Sequence, residues 1–204
     1  DNSGVADGAG NAGSGTTNSN TYDVDSVRPT ATIVVANPTL AAGQTALVTI
    51  TFSEAVTGFD NSDLSVPNGT LSAVSSSDGG ITWTGTFTPT SNVHDTTNLI
   101  SLNNAGYTDL TNNAGTGITN SGNFTIDTVR PTATIVVADN ALNIGETSGV
   151  TITFSEAVTG FSNADLTISN GTLTAVTSSD GGITWMATFT PTNAITDSSN
   201  LISL

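Results

Sequence analysis

The sequence predicts an all-β protein of tandem sandwich modules, each of about seven antiparallel strands. Three observations predict it. A twelve-residue phrase recurs 102 residues later, apolar residues and threonine alternate with a period of two, and turn dipeptides punctuate the chain every 8 to 12 residues or so.

The repeat sets the boundaries. Asp25-Ser-Val-Arg-Pro-Thr-Ala-Thr-Ile-Val-Val-Ala36 returns as Asp127-Thr-Val-Arg-Pro-Thr-Ala-Thr-Ile-Val-Val-Ala138. Val27 to Leu102 aligns with Val129 to Leu204 without a gap, with 53 identities in 76 pairs. The Gly, Ser and Asn content of residues 1–26 would by itself suggest a disordered tail. The repeat overrules that reading, because Asp7 to Gly13 falls on Asp109 to Gly115 and Tyr22 to Asp25 on Phe124 to Asp127. The expected domains are therefore 1–26, the C-terminal part of a preceding module; 27–128, a complete module; and 129–204, the N-terminal part of a following module. Residues equivalent to 1–26, in the same chain or another, would complete that last part.

Within a module, Ala46-Leu-Val-Thr-Ile-Thr-Phe52 and Ile81-Thr-Trp-Thr-Gly-Thr-Phe87 place large apolar residues on one face and threonine on the other, as half-buried strands do. Asn68-Gly69 and Asp78-Gly79 are tight-turn signals and recur as Asn170-Gly171 and Asp180-Gly181. Strands are expected near 31–36, 46–53, 63–67, 70–75, 81–88, 98–107 and 119–126, an immunoglobulin-like count. The expected core is Ile33, Val35, Val48, Ile50, Phe52, Leu64, Leu71, Trp83, Phe87, Leu99 and Phe124. Trp83 and Trp185 read as core anchors rather than ligand platforms.

Composition narrows function. There are 17 acidic and 2 basic residues, no lysine, and a formal charge of -15, so phosphate backbones are repelled and nucleic acid is not an expected partner. The chain has no cysteine and hence no disulfide framework. No apolar run reaches the roughly 20 residues a membrane span needs, and Asp1-Asn-Ser-Gly-Val5 is no signal peptide. Any export signal or anchor is expected outside this sequence.

Pro-Thr-Ala-Thr-Ile-Val-Val, Ile-Thr-Phe-Ser-Glu-Ala-Val-Thr-Gly-Phe, Asn-Gly-Thr-Leu and Tyr-Thr-Asp-Leu-x-x-Asn-Ala-Gly-Thr together resemble the bacterial immunoglobulin-like repeats of giant adhesins and biofilm-associated surface proteins. The likeness covers essentially the whole chain. It implies an extracellular, cell-surface location, long arrays that hold an adhesive tip away from the cell, and calcium at the joints between modules.

The acids themselves also point to a cation. In a seven-strand sandwich the first strand leaves the leading pole and the second returns to it, so Glu54 arrives beside Asp25. The 54–63 loop and the Asp109 to Gly115 turn share that pole. Asp25, Glu54, Asp63, Asp109 and Asn113 are thus expected to converge, and in the second copy Asp127, Glu156 and Asp165, with Asp7 and Asn11 supplied from another copy. Oxygen ligands without His or Cys suit Ca²⁺ rather than zinc. Taken singly, each acid also reads as a solvated turn residue. Asp78 and Asp180 read as plain hairpin turns, Asp95 and Asp197 as possible bridges at the far pole, and Arg28 and Arg130 as partners for a neighbouring module's acid. His94 has no counterpart, since residue 196 is Thr, and no nucleophile stands in a catalytic setting, so no enzyme is expected.

The leading expectation is a structural extender of an adhesin or filament, rigidified by calcium and partnered by adjacent copies of the module. A fibre subunit that polymerises by strand complementation between 1–26 and 129–204, and a calcium-dependent carbohydrate-binding module, are the alternatives.

Overall fold

The computed structural model describes all of residues 1–204. It is all-β, with short 3-10 turns at Asn2–Gly4, Asn61–Asp63, Asn104–Gly106 and Asn163–Asp165. The chain divides into two compact units, Asp1–Asp127 and Thr128–Leu204.

In the first unit one sheet runs Ala31–Val35, Ala46–Phe52, Thr82–Pro89, Gly69–Leu71, with Ser75–Ser76 also paired to Thr82–Pro89. Period-two alternation sets its inner face: Ala46, Val48, Ile50 and Phe52 are buried while Leu47 and Thr51 face solvent. Each fully buried Val, Ile or Phe contributes about 1.5–3 kcal/mol relative to exposure. Cross-strand register aligns Ile33 with Ile50 and Ile50 with Trp83. The Trp83 indole is turned inward, donating to the Gly80 carbonyl at 3.1 Å and meeting Phe59 edge-on at 5.2 Å. Gly69 has no alternative, because a Cβ there would run into the Phe87 ring.

The facing layer is built from Leu64–Ser65, Ser101–Asn103 and Ile118–Asn120, and from Phe124–Asp127 flanked by His94–Asn98. Thr39–Ala41 adds a short strand parallel to Phe124–Asp127. Both long strands of this layer are interrupted, and side chains replace the missing ladder bonds: Ile100 N–H donates to Ser121 Oγ and Asn98 N–H to Asn123 Oδ1, each at 3.0 Å. Asn98, Ile100 and Leu102 share one inward parity across the interruption, so Ile100 is buried and the expected core residue Leu99 is only half-buried. Phe87 and Phe124 meet edge-on at 5.3 Å across the two layers. Of the expected strand 98–107 only Ser101–Asn103 is a strand, with Asn98 closing His94–Asn98 before it and Asn104–Gly106 a 3-10 turn after it; the Thr39–Ala41, Val56–Thr57, Ser75–Ser76, His94–Asn98 and Thr108–Asp109 strands go beyond the sequence reading.

The second unit repeats the first sheet with Ala133–Val137, Ser148–Phe154, Thr184–Pro191 and Gly171–Leu173, and Thr177–Ser178 beside Thr184–Pro191. Its core is Val150, Ile152, Phe154 and Phe189. Thr167–Ile168 pairs with Ile202–Ser203. Residues 141–143, 158–159 and 196–200, the counterparts of Thr39–Ala41, Val56–Thr57 and His94–Asn98, form no strand.

Candidate metal centre

Asp25, Glu54 and Asp109 come from three places in the chain: the segment before Pro29, the turn after the Ala46–Phe52 strand, and the short Thr108–Asp109 strand. Pairing of Thr108 with Thr57 and Asp109 with Val56 draws the third of these to the pole of the other two. One carboxylate oxygen from each of the three lies within 4.8 Å of the others. Two residues before Glu54 and Asp109 in the chain stand Phe52 and Tyr107, whose rings meet at 4.6 Å, with Phe59 5.1 Å from Phe52.

Asp109 is fully buried. Burial alone would raise its pKa, but hydrogen bonds from the side chain and backbone of Asn113 and of Thr111 together outweigh it and hold the group below the usual carboxylate range. Asn113 Nδ2 donates to Asp109 Oδ2 at 2.8 Å and to the Asp25 carbonyl at 3.3 Å. Thr111 Oγ1 donates to Asp25 Oδ2 at 3.2 Å and Asp109 Oδ1 at 3.0 Å. Glu54 has no such donors. Burial first, then the charges of Asp109 and Asp25, push its pKa up. Arg28, whose expected partner is a neighbouring acid, places Nη1 on the Ala114 carbonyl at 2.6 Å and so pins the Asp25 segment to the Asp109–Gly115 turn.

Asp63 is not one of the three. Its Oδ2 accepts the Asp60 N–H at 3.1 Å in a capping box, where Asp60 Oδ1 accepts the Ser62 N–H at 2.7 Å, and Gly106 lies directly over it. Asp165 closes the same box on Ser162 at 2.9 Å. Asp7 and Asn11 reproduce the Asp109–Asn113 pair at 2.9 Å. Glu156 Oε1 is buried with no hydrogen-bond partner, and Asp127 Oδ2 lies 3.1 Å from His94 Nδ1. At the far pole Asn68 donates to Asp95 at 2.9 Å and to Asn98 at 2.8 Å, so Asp95 serves a polar latch inside its module; Asn170 and Asp197 repeat it at 2.9 Å.

Sequence reading missed Thr111 and His94. Thr111 is replaced by Ala9 in the other copy and His94 by Thr196, so comparing the copies hides both. Spacing offered the one available signal, Asp109-x-Thr-x-Asn113, a side chain two residues on that can reach back to the aspartate.

The site fits a hard divalent cation by its donor chemistry: three carboxylates, no soft ligand, and no lysine anywhere to neutralise them. A family model described as bacterial Ig-like domain matches residues 25–126 and 127–204. No curated protein matches. A solved structure described as "FdeC, a Novel Broadly Conserved Escherichia coli Adhesin Eliciting Protection against Urinary Tract Infections" is similar over 80% of this chain and 56% of that one, at 16% identity and a TM-score of 0.43. The present chain therefore spans little more than half of that structure, and the likeness carries no argument about function. With two consecutive matches accounting for nearly all of its residues, the chain belongs to the bacterial Ig-like domain family.

Proposed function

We propose that this chain is a non-enzymatic extender of a bacterial cell-surface adhesin or extracellular filament, in which calcium at Asp25, Glu54 and Asp109 stiffens the joint leading into the module. The observation that carries the metal is the approach of three carboxylate oxygens within 4.8 Å. Calcium accepts about 6 to 8 oxygens with tolerant geometry, so three acids, backbone carbonyls and water suffice. An ion reverses the electrostatics at Glu54: two neighbouring charges that oppose its ionisation become fellow ligands.

Asp25 lies on the linker side, whereas Glu54 and Asp109 belong to the sandwich, so an ion bridging them ties linker to module. Pro29 fixes φ in the same segment. Hinged beads become a rod. Without the ion the three acids repel and the joint loosens.

The test is small-angle scattering and thermal melting of the 204-residue chain in calcium and in chelator. Calcium is expected to lengthen the particle and raise Tm, by ~2.7 kcal/mol of stability at a hundredfold excess over Kd. Identical profiles in both buffers contradict the reading.

A further inference from the structure

Residues 25–30, the linker that enters the first sandwich, lie along it and are attached at both ends. Pro29 is buried. Thr30 exchanges two hydrogen bonds with Ser53, just past the Ala46–Phe52 strand: its N–H donates to Ser53 Oγ at 3.0 Å and its carbonyl accepts the Ser53 N–H at 2.9 Å. At the other end, the Asp25 carbonyl accepts from Asn113 Nδ2 and its Oδ2 from Thr111 Oγ1. Between these attachments comes Arg28, whose Nη1 donates to the Ala114 carbonyl at 2.6 Å. Ala114 is itself held, since it bridges Thr108, which pairs with Thr57. The guanidinium therefore grips a fixed part of the turn.

What Arg28 does not do is equally informative. It stands three positions from Asp25 in a chain with one other Arg and no Lys, yet it pairs with no carboxylate; the ion pair of the first unit is His94 with Asp127. A guanidinium near converging acids ordinarily closes on one of them in the two-pronged geometry that suits it. Here the hydrogen bond goes to a peptide carbonyl, and Glu54, pushed up by burial and two neighbouring anions, gets no relief from it.

We propose that Arg28 is the positioning residue of this joint: by fastening the linker to the turn through Ala114, and not through an acid, it holds Asp25 beside Asp109 before any ion arrives and leaves all three carboxylates to a divalent cation. The proposal rests on the cation placed above at Asp25, Glu54 and Asp109. Two effects of Arg28 on that cation have opposite signs. Its charge repels the ion, so removing it would tighten binding. Its clasp confines Asp25 in advance, so removing it weakens binding, because the ion must then order the linker itself. Arg28 is exposed, solvent screens its charge, and the clasp outweighs the repulsion.

The test uses Arg28→Met, which keeps an apolar stem and removes both charge and donors, in the 204-residue chain. In chelator, hydrogen exchange of the Thr111 and Asn113 amides, which donate to Asp109 Oδ1 at 2.8 Å, is expected to run roughly 2- to 10-fold faster in the variant, the range one hydrogen bond is worth, while the Ala46–Phe52 strand exchanges as before. In calcium titration the variant is expected to bind roughly tenfold more weakly than the unsubstituted chain. Arg28→Lys, which keeps the charge and a donor, is expected to bind more tightly than Arg28→Met. Unchanged exchange at the turn, an Arg28→Met variant that binds calcium as tightly as the unsubstituted chain or more so, or an Arg28→Lys variant no tighter than Arg28→Met overturns the inference. If the unsubstituted chain takes up no calcium, the proposed function fails, and the exchange rates in chelator still decide whether Arg28 clasps the joint.

Discussion

At Glu54 burial and two neighbouring anions act in one direction, against ionisation. A carboxylate with a raised pKa binds its proton more tightly in the native state, so by linkage this group adds stability as pH falls toward its folded pKa. Without calcium, Glu54→Gln should therefore raise Tm at neutral pH while abolishing any calcium-induced rise; a melting series in both buffers checks it. Asp78 and Asp180 have the opposite sign. Hydrogen bonds led by the backbone N–H of Thr82 and of Thr184 lower each from 3.8 to about 2. Their contribution is present above the unfolded value and is lost as pH falls from about 4 to about 2. Acid unfolding should show stability falling through that window, with a shallower fall in the Asp78→Asn variant. The convergence of Asp25, Glu54 and Asp109 was legible because strand direction alone brings them to one pole. Asp63 was misplaced by the same reasoning, since pole membership does not say where a side chain points. Asp60, three residues before it, offers a local capping partner that takes its carboxylate.

Elements follow the same division between local pattern and distant partner. The Ala46–Phe52 and Thr82–Pro89 strands were legible because their alternation is uninterrupted, whereas Thr39–Ala41 and His94–Asn98 exist only where Phe124–Asp127 lies between them. Their counterparts 141–143 and 196–200 keep three of the eight residues, Leu142, Asp197 and Asn200, and form no strand. Leu99 and Ile100 show the cost of reading without the partner strand: a break in register lies between Asp95 and Asn98, opposite Phe124–Ile126, and from Asn98 onward Asn98, Ile100 and Leu102 face inward. Asn98 holds that break together. It is buried, donates to the Asp95 carbonyl at 3.0 Å and the Phe124 carbonyl at 3.2 Å, and accepts from Asn68 at 2.8 Å. Asn98→Ala leaves these groups without a partner and should cost about 1–3 kcal/mol by denaturant unfolding. Gly106→Ala should cost a similar ~1–3 kcal/mol, because the new Cβ meets an Asp63 carboxylate held in its cap.

For the whole molecule, the repeat made module length and boundaries legible, since two copies of one phrase fix a period without any knowledge of contacts. What it left open was how the acids are used once the chain is folded: Asp63 and Asp165 in local caps, Asp95 and Asp197 in latches at the far pole, and Asp25, Glu54 and Asp109 in one trio with too few donors to neutralise it. A formal charge of -15 with no lysine means that self-repulsion opposes compaction and that cations are the available counterweight. The proposed function thus requires a cation to enter that trio and join linker to sandwich. Isothermal titration of calcium into the chelator-stripped chain, beside Glu54→Gln and Asp109→Asn variants, measures this most directly. Saturable heat is expected from the unsubstituted protein, with each substitution weakening the affinity by at least tenfold, about 1.4 kcal/mol. No heat at millimolar calcium, or an isotherm that neither substitution changes, would contradict the proposed function.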